Sequence, residues 1–508
     1  MRLLGTLGAA ALGFSLALGV AAPATAHVDR DRLAQVRSDL LAEGEGTPVT
    51  SGNVQHVATK PGTTGISGCF MQTAPLFVTS GLESVQVWDV SQGTNPTQTG
   101  VLPNPVFENE AMNCGERRTK KGTKRFALVG IDLYQASPDD PQHVNVGGDE
   151  LMIVDVTDPA KPTIRSRVAS TSGTHTVACV EETDCRYAYS SGNRPRDGKP
   201  GTFSIFDLRR LDKPVEVDAD PTQEGVQPFT SPTAGHKWNF DAAEFGAFTG
   251  FGGTSLFDVS NPREPRLVTT TGEAGQGKGA GEGYNDFIHH NSYRPNADAF
   301  RPDAPPSLEN GNILLVTEED YMETDCSLAG SFQTWHVKRL DGTPDAIVPL
   351  DKVELSDLQA QQPASLPLPH GTFCSAHWFD YHQSGIVAVG YYGGGSQLVD
   401  VSNPKKLTSH GYAYWGASEV WDTMWLPVYN KRGKQKDART NVVYSIDLVR
   451  GLDVYSANVP GDGAGKTPQA GVDRERSVVE RATQGVLPIG LVALALALVV
   501  AVRRRSRH

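Results

Sequence analysis

Four of the 13 histidines in this 508-residue chain stand at corresponding places in a series of repeated segments. Aligning the first strand expected in each repeat brings together His175, His236, His290 and His377. The same alignment places three other residue types in the remaining repeats, namely Cys69, Glu110 and Trp421. Neutral imidazole is the commonest protein ligand for zinc and copper, so this recurrence predicts a site for one transition metal, copper or zinc.

Acidic residues near these histidines widen the chemistry that is open to the site. Glu319 and Glu318 share a repeat with His290, and Glu110 occupies the aligned position of another repeat. Glu318, Glu319 and the neighbouring His289 are candidates for a ligand, for an outer group that fixes an imidazole tautomer, or for a general acid or base, whereas Glu110 is expected as outer support. The alternative is a water-filled channel whose imidazoles simply hydrogen-bond to neighbouring strands, because buried polar groups need partners in any case.

Three further histidines are expected to be structural. His289 precedes His290 directly, and alternation along a strand turns its side chain to the other face, although a supporting role beside the metal stays open. His370 and His382 fall outside the aligned position.

The repeats themselves are short runs of β-branched and aromatic residues that end in aspartate and turn-forming residues. The clear copies end at Asp89, Asp155, Asp207, Asp258 and Asp400, and weaker copies occur at residues 332–337 and 451–455. Such an aspartate can accept the backbone N–H two residues on, and a following proline cannot continue a central strand. With further strands before and after each run, the pattern predicts an all-β fold, a seven-bladed β-propeller over residues 50–456, with a solenoid of hairpins as the alternative.

Residues 151–155, LMIVD, differ at one position from the motif of the LVIVD-repeat propellers, which the chain resembles over about 400 residues. That resemblance implies a propeller on a prokaryotic cell surface. Residues 173–179, 287–291, 315–319 and 375–378 are also similar to the histidine-bearing strands of the selenium-binding protein family. This second resemblance implies a copper-dependent oxidoreductase such as a methanethiol oxidase.

The two ends of the chain have the composition of targeting segments. Residues 1–26 combine Arg2, an apolar stretch and an Ala-Thr-Ala site, which predicts a signal peptide. Residues 27–49 are expected to form a short helical or linker segment, and residues 457–484 a polar, flexible stalk. Residues 485–502 predict a single transmembrane helix, and the basic tail 503–508 predicts a cytoplasmic C-terminus with the bulk of the chain extracellular.

The charge balance argues against a nucleic-acid partner. Without Arg2 and the four arginines after residue 502, the chain has 41 basic against 58 acidic side chains. A surface with this negative excess repels phosphate. The sequence also lacks a glycine-rich phosphate loop and a Gly-x-Ser-x-Gly elbow.

Six cysteines in an extracellular protein are expected to pair. Links within or between neighbouring repeats give Cys179 with Cys185, Cys326 with Cys374, and Cys69 with Cys114. Residues 53–58 are a strand-like piece ahead of the first repeat, whereas the last repeat lacks its fourth strand. We therefore expect residues 53–58 to complete the last blade and close the ring.

Two functions remain open from the sequence alone. One is a membrane-anchored binding or scaffold propeller for an unknown protein or small molecule at the cell surface, with or without a metal in its channel. The other is a copper- or zinc-dependent extracellular oxidoreductase. No complete catalytic constellation is visible, which favours the binding module.

Overall fold

The computed structural model describes residues 48–60, 65–81, 84–103, 110, 112–131, 149–271, 283–362, 374–415 and 418–460. Within these residues the strands pair antiparallel, and we group them into seven four-stranded units numbered along the sequence; units 4 and 5 belong to one eight-stranded sheet, joined where Phe251 pairs with Ile288. Unit 1 contains Gly65–Phe70, Leu76–Gly81, Ser84–Asp89 and Thr97–Pro103. Unit 2 contains Asn113–Thr119, Gly122–Ile131, Glu150–Asp155 and Thr163–Ala169. Unit 3 contains Val177–Cys179, Tyr187–Ser190, Ile205–Asp207 and Val215–Glu216. Unit 4 contains Ala234–Phe240, Phe245–Phe251, Gly253–Asp258 and Arg266–Thr270. Unit 5 contains Ile288–Tyr293, Ile313–Glu319, Phe332–Val337 and Ile347–Val353.

Units 6 and 7 include strands from before the first unit. Unit 6 contains Phe379–His382, Ile386–Gly390, Ser396–Asp400 and Thr408–Tyr414, and its last strand also pairs with Val49–Thr50. Unit 7 contains Val420–Tyr429, Gln435–Asp447, Gly451–Ala457 and Val54–Lys60. Unit 3 is accompanied by a separate pair, Gly201–Phe203 with Phe229–Ser231, and the described helices are short: Glu182–Asp184, Ala297–Ala299, Leu308–Asn310 and Leu355–Ala360.

Local chemistry explains why the third strand of most units ends where it does. The Oδ1 atom of Asp155 accepts the backbone N–H of Thr157 at 2.9 Å, and Asp400 accepts that of Ser402 at 2.8 Å. Asp89, Asp207 and Asp258 make the same bond two residues on. The predicted aspartate turns are therefore confirmed, and each turn sends the chain into an outer strand.

The ring closure expected from the sequence is confirmed. Val54–Lys60 pairs antiparallel with Gly451–Ala457, with Val54 opposite Ala457 and Lys60 opposite Leu452. The strand before unit 1 thus supplies the outer edge of unit 7 and covers the edge that Gly451–Ala457 would otherwise expose. The expected limits of the propeller, residues 50 and 456, each shift outward by one residue, because Val49 already belongs to a strand and the last strand runs to Ala457.

The apolar core lies between successive units rather than inside one unit. Val78 of unit 1 clusters with Val129 of unit 2, and clusters of the same kind join each later unit to the next. Another cluster joins Tyr444 of unit 7 to Phe77 of unit 1. Because every unit buries its faces against two neighbours, the units stabilise one another in a closed series.

The cysteines pair as expected. Cys69–Cys114 joins units 1 and 2, Cys326–Cys374 joins units 5 and 6, and Cys179–Cys185 closes a short loop in unit 3. The predicted signal peptide, transmembrane helix and basic tail lie outside the described residues, as does nearly all of the stalk. Among the residues that are described, no helix is long and apolar enough to cross a membrane.

Candidate metal centre

The four predicted histidines converge on one carboxylate, that of Glu110. His175 and His377 lie just before the first strands of units 3 and 6, whereas His236 and His290 lie within the first strands of units 4 and 5. Glu110 precedes the first strand of unit 2. Five successive units therefore contribute one side chain each to a group that we call the histidine cluster: Glu110, His175, His236, His290 and His377.

Three imidazoles share a single oxygen of Glu110. The Nε2 atoms of His290, His377 and His236 lie 3.0, 3.3 and 3.4 Å from Oε1. The Nε2 atom of His175 contacts the other oxygen, Oε2. The ligand atoms of Glu110, His236 and His290 lie within 4.8 Å of one another, as do those of His290, Glu319 and His377, so each of these groups of three could hold a metal ion.

The contacts of His377 indicate that a positive charge, either a second proton or a cation, belongs in the cluster. Its Nδ1 atom lies 2.7 Å from the carbonyl oxygen of Trp421, and a carbonyl oxygen can only accept, so Nδ1 carries the proton. In the neutral ring, Nε2 then presents a lone pair toward the carboxylate of Glu110. A lone pair and a carboxylate repel each other in a buried site, so this contact requires a positive charge, which is either a second proton on the ring or a cation between the two groups.

His236 and His290 have the protonation state that metal ligands need. Burial lowers the pKa of His236 to about 4, and it lowers that of His290 well below the ordinary range, so both rings are neutral near pH 7. Their Nδ1 atoms are buried and have no hydrogen-bond partner among the described residues. For Glu110, burial alone would raise the pKa, but the charge and hydrogen bond of His175 lower it well below the ordinary value. The cluster thus combines an anionic carboxylate with the neutral imidazoles of His236 and His290, and these donors are suited to zinc or copper.

Glu319 stands directly behind the histidine cluster, as its sequence position suggested. Its Oε2 atom lies 3.6 Å from Nε2 of His290, and its Oε1 atom lies 3.9 Å from Nε2 of His377. The hydroxyl of Tyr392 donates to Glu319, and this fixes the carboxylate. Glu319 is therefore placed to be a further ligand or to hold the imidazoles in position.

Glu110 has a more central place than the sequence indicated. It was expected as outer support, but it is the one side chain that contacts all four histidines. The remaining expected histidines lie elsewhere. His289 is turned away toward Thr254 and the carbonyl of Tyr284, and His382 contacts Ser384. Glu318 accepts the backbone N–H groups of Asp286 and Phe287, and His370 lies outside the described residues.

Register breaks in the first strands aim the cluster residues inward. In unit 4, Gly235 and Lys237 pair with two consecutive residues of the neighbouring strand, so His236 between them is an extra residue without a pairing partner on that strand. In unit 5, His290 is the extra residue between His289 and Asn291. An extra residue of this kind is a β-bulge, which re-aims the side chain that it carries.

The same break corrects one expected position. Unit 7 has its break at Trp421 and unit 1 at Ile66, so Ile66 is the equivalent residue of unit 1 rather than Cys69. Ile66 packs with Trp421 and Tyr392, whereas Cys69 is held in its disulfide. The sequence alignment of Cys69 was therefore wrong by three positions.

Sequence reasoning missed a second set of residues, which follow the cluster directly along the strands. The ring of Trp378, next to His377, lies with its centroid 4.1 Å from that of His290. The Nζ atom of Lys237, next to His236, lies 3.9 Å from the centroid of Trp378. The signal in the sequence was adjacency to an aligned histidine, but only the fold shows that these side chains meet.

Comparison with known proteins identifies an LVIVD repeat in this chain. The family model of the LVIVD repeat matches residues 143–170, which include the LMIVD run, so the expected LVIVD resemblance is confirmed. Similar solved structures include the β-propeller domain of Cps50 (Swd1) from Myceliophteria thermophila (11% identity, TM-score 0.46) and Sqt1 from Saccharomyces cerevisiae (10% identity, TM-score 0.44). Each alignment covers 80% of this chain and 100% of the other. No curated protein matches the sequence, and the similarity to selenium-binding proteins stays a prediction.

Proposed function

We propose that this chain, an LVIVD-repeat β-propeller, has seven blades and holds one copper or zinc ion in its channel between His175, His236, His290, His377 and Glu110. The observation that carries the proposal is the convergence of buried ligand atoms: those of Glu110, His236 and His290 lie within 4.8 Å of one another, as do those of His290, Glu319 and His377. The seven units and the apolar clusters between them support the blade count.

The ion would act mainly as a structural link in a binding module. Its ligands come from five successive units, so a bound ion would tie more than half of the ring together at its centre. Bound copper or zinc would supply Lewis-acid polarisation to any group that reached it, and copper would add one-electron chemistry. The protein's own part is to hold the imidazoles at a common point and to bury three of them, those of His236, His290 and His377, from water.

The composition of the two ends supports a place at the cell surface. A signal peptide at residues 1–26 and a membrane helix at residues 485–502 would display the propeller outside the cell on its stalk. The partner would then be a protein or small molecule that meets the extracellular face, and the negative charge of the chain disfavours nucleic acid.

Metal content of the purified full chain tests the proposal. Protein prepared without added metal is expected to contain about one copper or zinc ion per chain by mass spectrometry. The double variant His236→Ala with His290→Ala should lose the ion and retain its circular dichroism spectrum.

A matched control removes two histidines outside the cluster. His336 bonds to the Ala304 carbonyl and His410 to the Asn458 carbonyl, so His336→Ala with His410→Ala should keep the metal. Metal-free protein whose melting temperature does not change on adding Cu²⁺ or Zn²⁺ would overturn the proposal. The cluster would then be a buried hydrogen-bonded group, and the binding propeller would remain without a metal.

A further inference from the structure

A cavity of about 670 Å³ adjoins the histidine cluster on one side of the ring. Its lining includes Lys237, Asn291, Trp378 and Asp422, and these residues directly follow His236, His290, His377 and Trp421 in sequence. The inner wall of the cavity is therefore the next layer of side chains along the same inner strands. Its volume lies within the range of small-molecule sites in proteins.

The acidic residues of the cavity wall are satisfied by protein groups. Asp380 lies 3.2 Å from Nε of Arg439 and also accepts the backbone N–H of Trp425. Glu182 accepts hydrogen bonds from the side chains of Gln72 and Asn113. The Oδ2 atom of Asp422 lies 3.4 Å from Oγ of Ser67, and burial raises the pKa of Asp422 to about 7 against the opposing charge of Lys237.

Lys237 differs from these acidic residues because no protein group forms a hydrogen bond or an ion pair with its ammonium group in the described part of the chain. Its Nζ atom rests over the ring of Trp378. An ammonium group that is half-buried and faces a cavity attracts an anion, since a ligand carboxylate would supply the hydrogen bonds that the protein does not.

The rest of the wall favours an aromatic ligand. Phe240, Tyr293, Tyr381 and Trp378 all line the cavity, and the rings of Tyr293 and Tyr381 lie 6.0 Å apart by centroid. Aromatic walls bind aromatic rings through burial of apolar area and through edge and face contacts. Asn239 and Asn291 add amide groups, joined to each other at 2.8 Å.

We propose that this cavity binds a small aromatic carboxylate, with the carboxylate on Nζ of Lys237 and the ring among the aromatic side chains. The ring of Trp378 packs against that of His290, but the cavity is lined by Lys237 and Trp378 and not by the proposed metal ligands, so the proposal does not require a bound metal. It gives the propeller a specific class of small-molecule ligand.

Calorimetric titration of the full chain with benzoate, benzamide and benzylamine tests the proposal. Benzoate is expected to bind at millimolar concentration or tighter, and at least about tenfold tighter than neutral benzamide, since a charge-assisted hydrogen bond is worth that factor. The variant Lys237→Met should weaken benzoate at least about tenfold and leave benzamide unchanged. The matched control Lys405→Met removes an exposed lysine and should not change binding.

The comparison of benzoate with benzamide on the unmodified protein keeps the test valid even if Lys237→Met does not fold. The double variant His236→Ala with His290→Ala should still bind benzoate, which separates this site from the metal site.

Four results would each overturn the proposal. They are no saturable benzoate binding up to about 10 mM, equal affinity for benzamide, tighter binding of benzylamine, or benzoate binding that is lost with the metal ligands and unaffected by Lys237→Met.

Discussion

The Nε2 atom of His56 lies 3.2 Å from Oδ1 of Asp453, although 397 positions separate the two residues in sequence. The contact ties the strand before unit 1 to the last complete strand of unit 7. Arg450 bonds to the same carboxylate through Nε at 2.6 Å, and the hydroxyl of Thr59 donates to it as well. Asp453 is thus the polar centre of the ring closure.

The variant Asp453→Asn should be strongly destabilised at neutral pH. Burial alone would raise the pKa of Asp453, but hydrogen bonds from His56 and Arg450 bring it down to about 2. A depressed pKa contributes stability above the unfolded value of about 3.9, and this is lost as pH falls toward 2. We expect a loss of about 3 kcal/mol at pH 7, because the variant leaves Arg450 buried without its counter-ion.

Urea unfolding at pH 7, 4 and 2.5 measures this effect. The difference between the native protein and Asp453→Asn should shrink as the pH falls. The control Asp212→Asn breaks an exposed pair with Arg210 at 3.6 Å and should cost less than about 0.5 kcal/mol. A constant difference at all three pH values would contradict the assignment of Asp453.

The variant Asp422→Asn should show the opposite behaviour. Burial is the main cause that raises the pKa of Asp422 to about 7, with Lys237 opposing it. The native state therefore holds this proton more tightly than the unfolded chain, and stability falls as pH rises from about 4 to 7. Removing the ionisable group should stabilise the protein by on the order of 1–3 kcal/mol at pH 8 and change little at pH 4. Parallel pH–stability curves for the two proteins would refute this.

The variant Tyr392→Phe should weaken metal binding while preserving the fold. The Tyr392 hydroxyl that it removes donates to Glu319, which stands behind His290 and His377. Loss of a supporting bond of this kind typically costs about tenfold or more in metal affinity. Competition with a chelator measures the effect. Tyr412→Phe is the matched control, since the buried hydroxyl of Tyr412 has no partner in the described part of the protein; equal affinities for the two variants would argue against a role for Glu319.

The variant Gly130→Ala should disturb the histidine cluster from a distance. An added Cβ at Gly130 would overlap the carbonyl oxygen of Thr174, which immediately precedes His175. A backbone atom cannot move aside without shifting the strand, so we expect a loss of about 2–4 kcal/mol in unfolding free energy and weaker metal binding. Gly52→Ala is the control, because a Cβ there meets nothing within 4 Å. Thermal unfolding that is unchanged in Gly130→Ala would show that the contact is relaxed at no cost.

The architecture was predictable because its signals are local. The aspartate after each third strand binds the backbone two residues on, and this turn chemistry is visible in the sequence around Asp155 and Asp400. Ring closure and the disulfides followed from the order of the repeats, since neighbours in sequence are neighbours in space. The four histidines were found because an inner strand recurs once per unit.

The finer geometry of the site could not be predicted in this way. A β-bulge shifts register by one residue without a characteristic residue type, so the equivalence of Ile66 rather than Cys69 was hidden. The central place of Glu110 depends on a segment just ahead of its strand, whose path the alternation of residues does not determine. The contact of Lys237 with Trp378 joins two units and has no signal in either strand alone.

The pairing of Val54–Lys60 with Gly451–Ala457 also means that the first strand must wait for nearly the whole domain to be synthesised before it can pair. A ribosome adds about 5–20 residues per second, so roughly 20–80 seconds pass between the emergence of the first strand and that of its partner. During that interval the early strand is an unprotected β-edge, open to pairing with any other exposed strand. Chains interrupted before residue 451 therefore never bury this edge, and they are the species that holdase chaperones or quality-control proteases would recognise first.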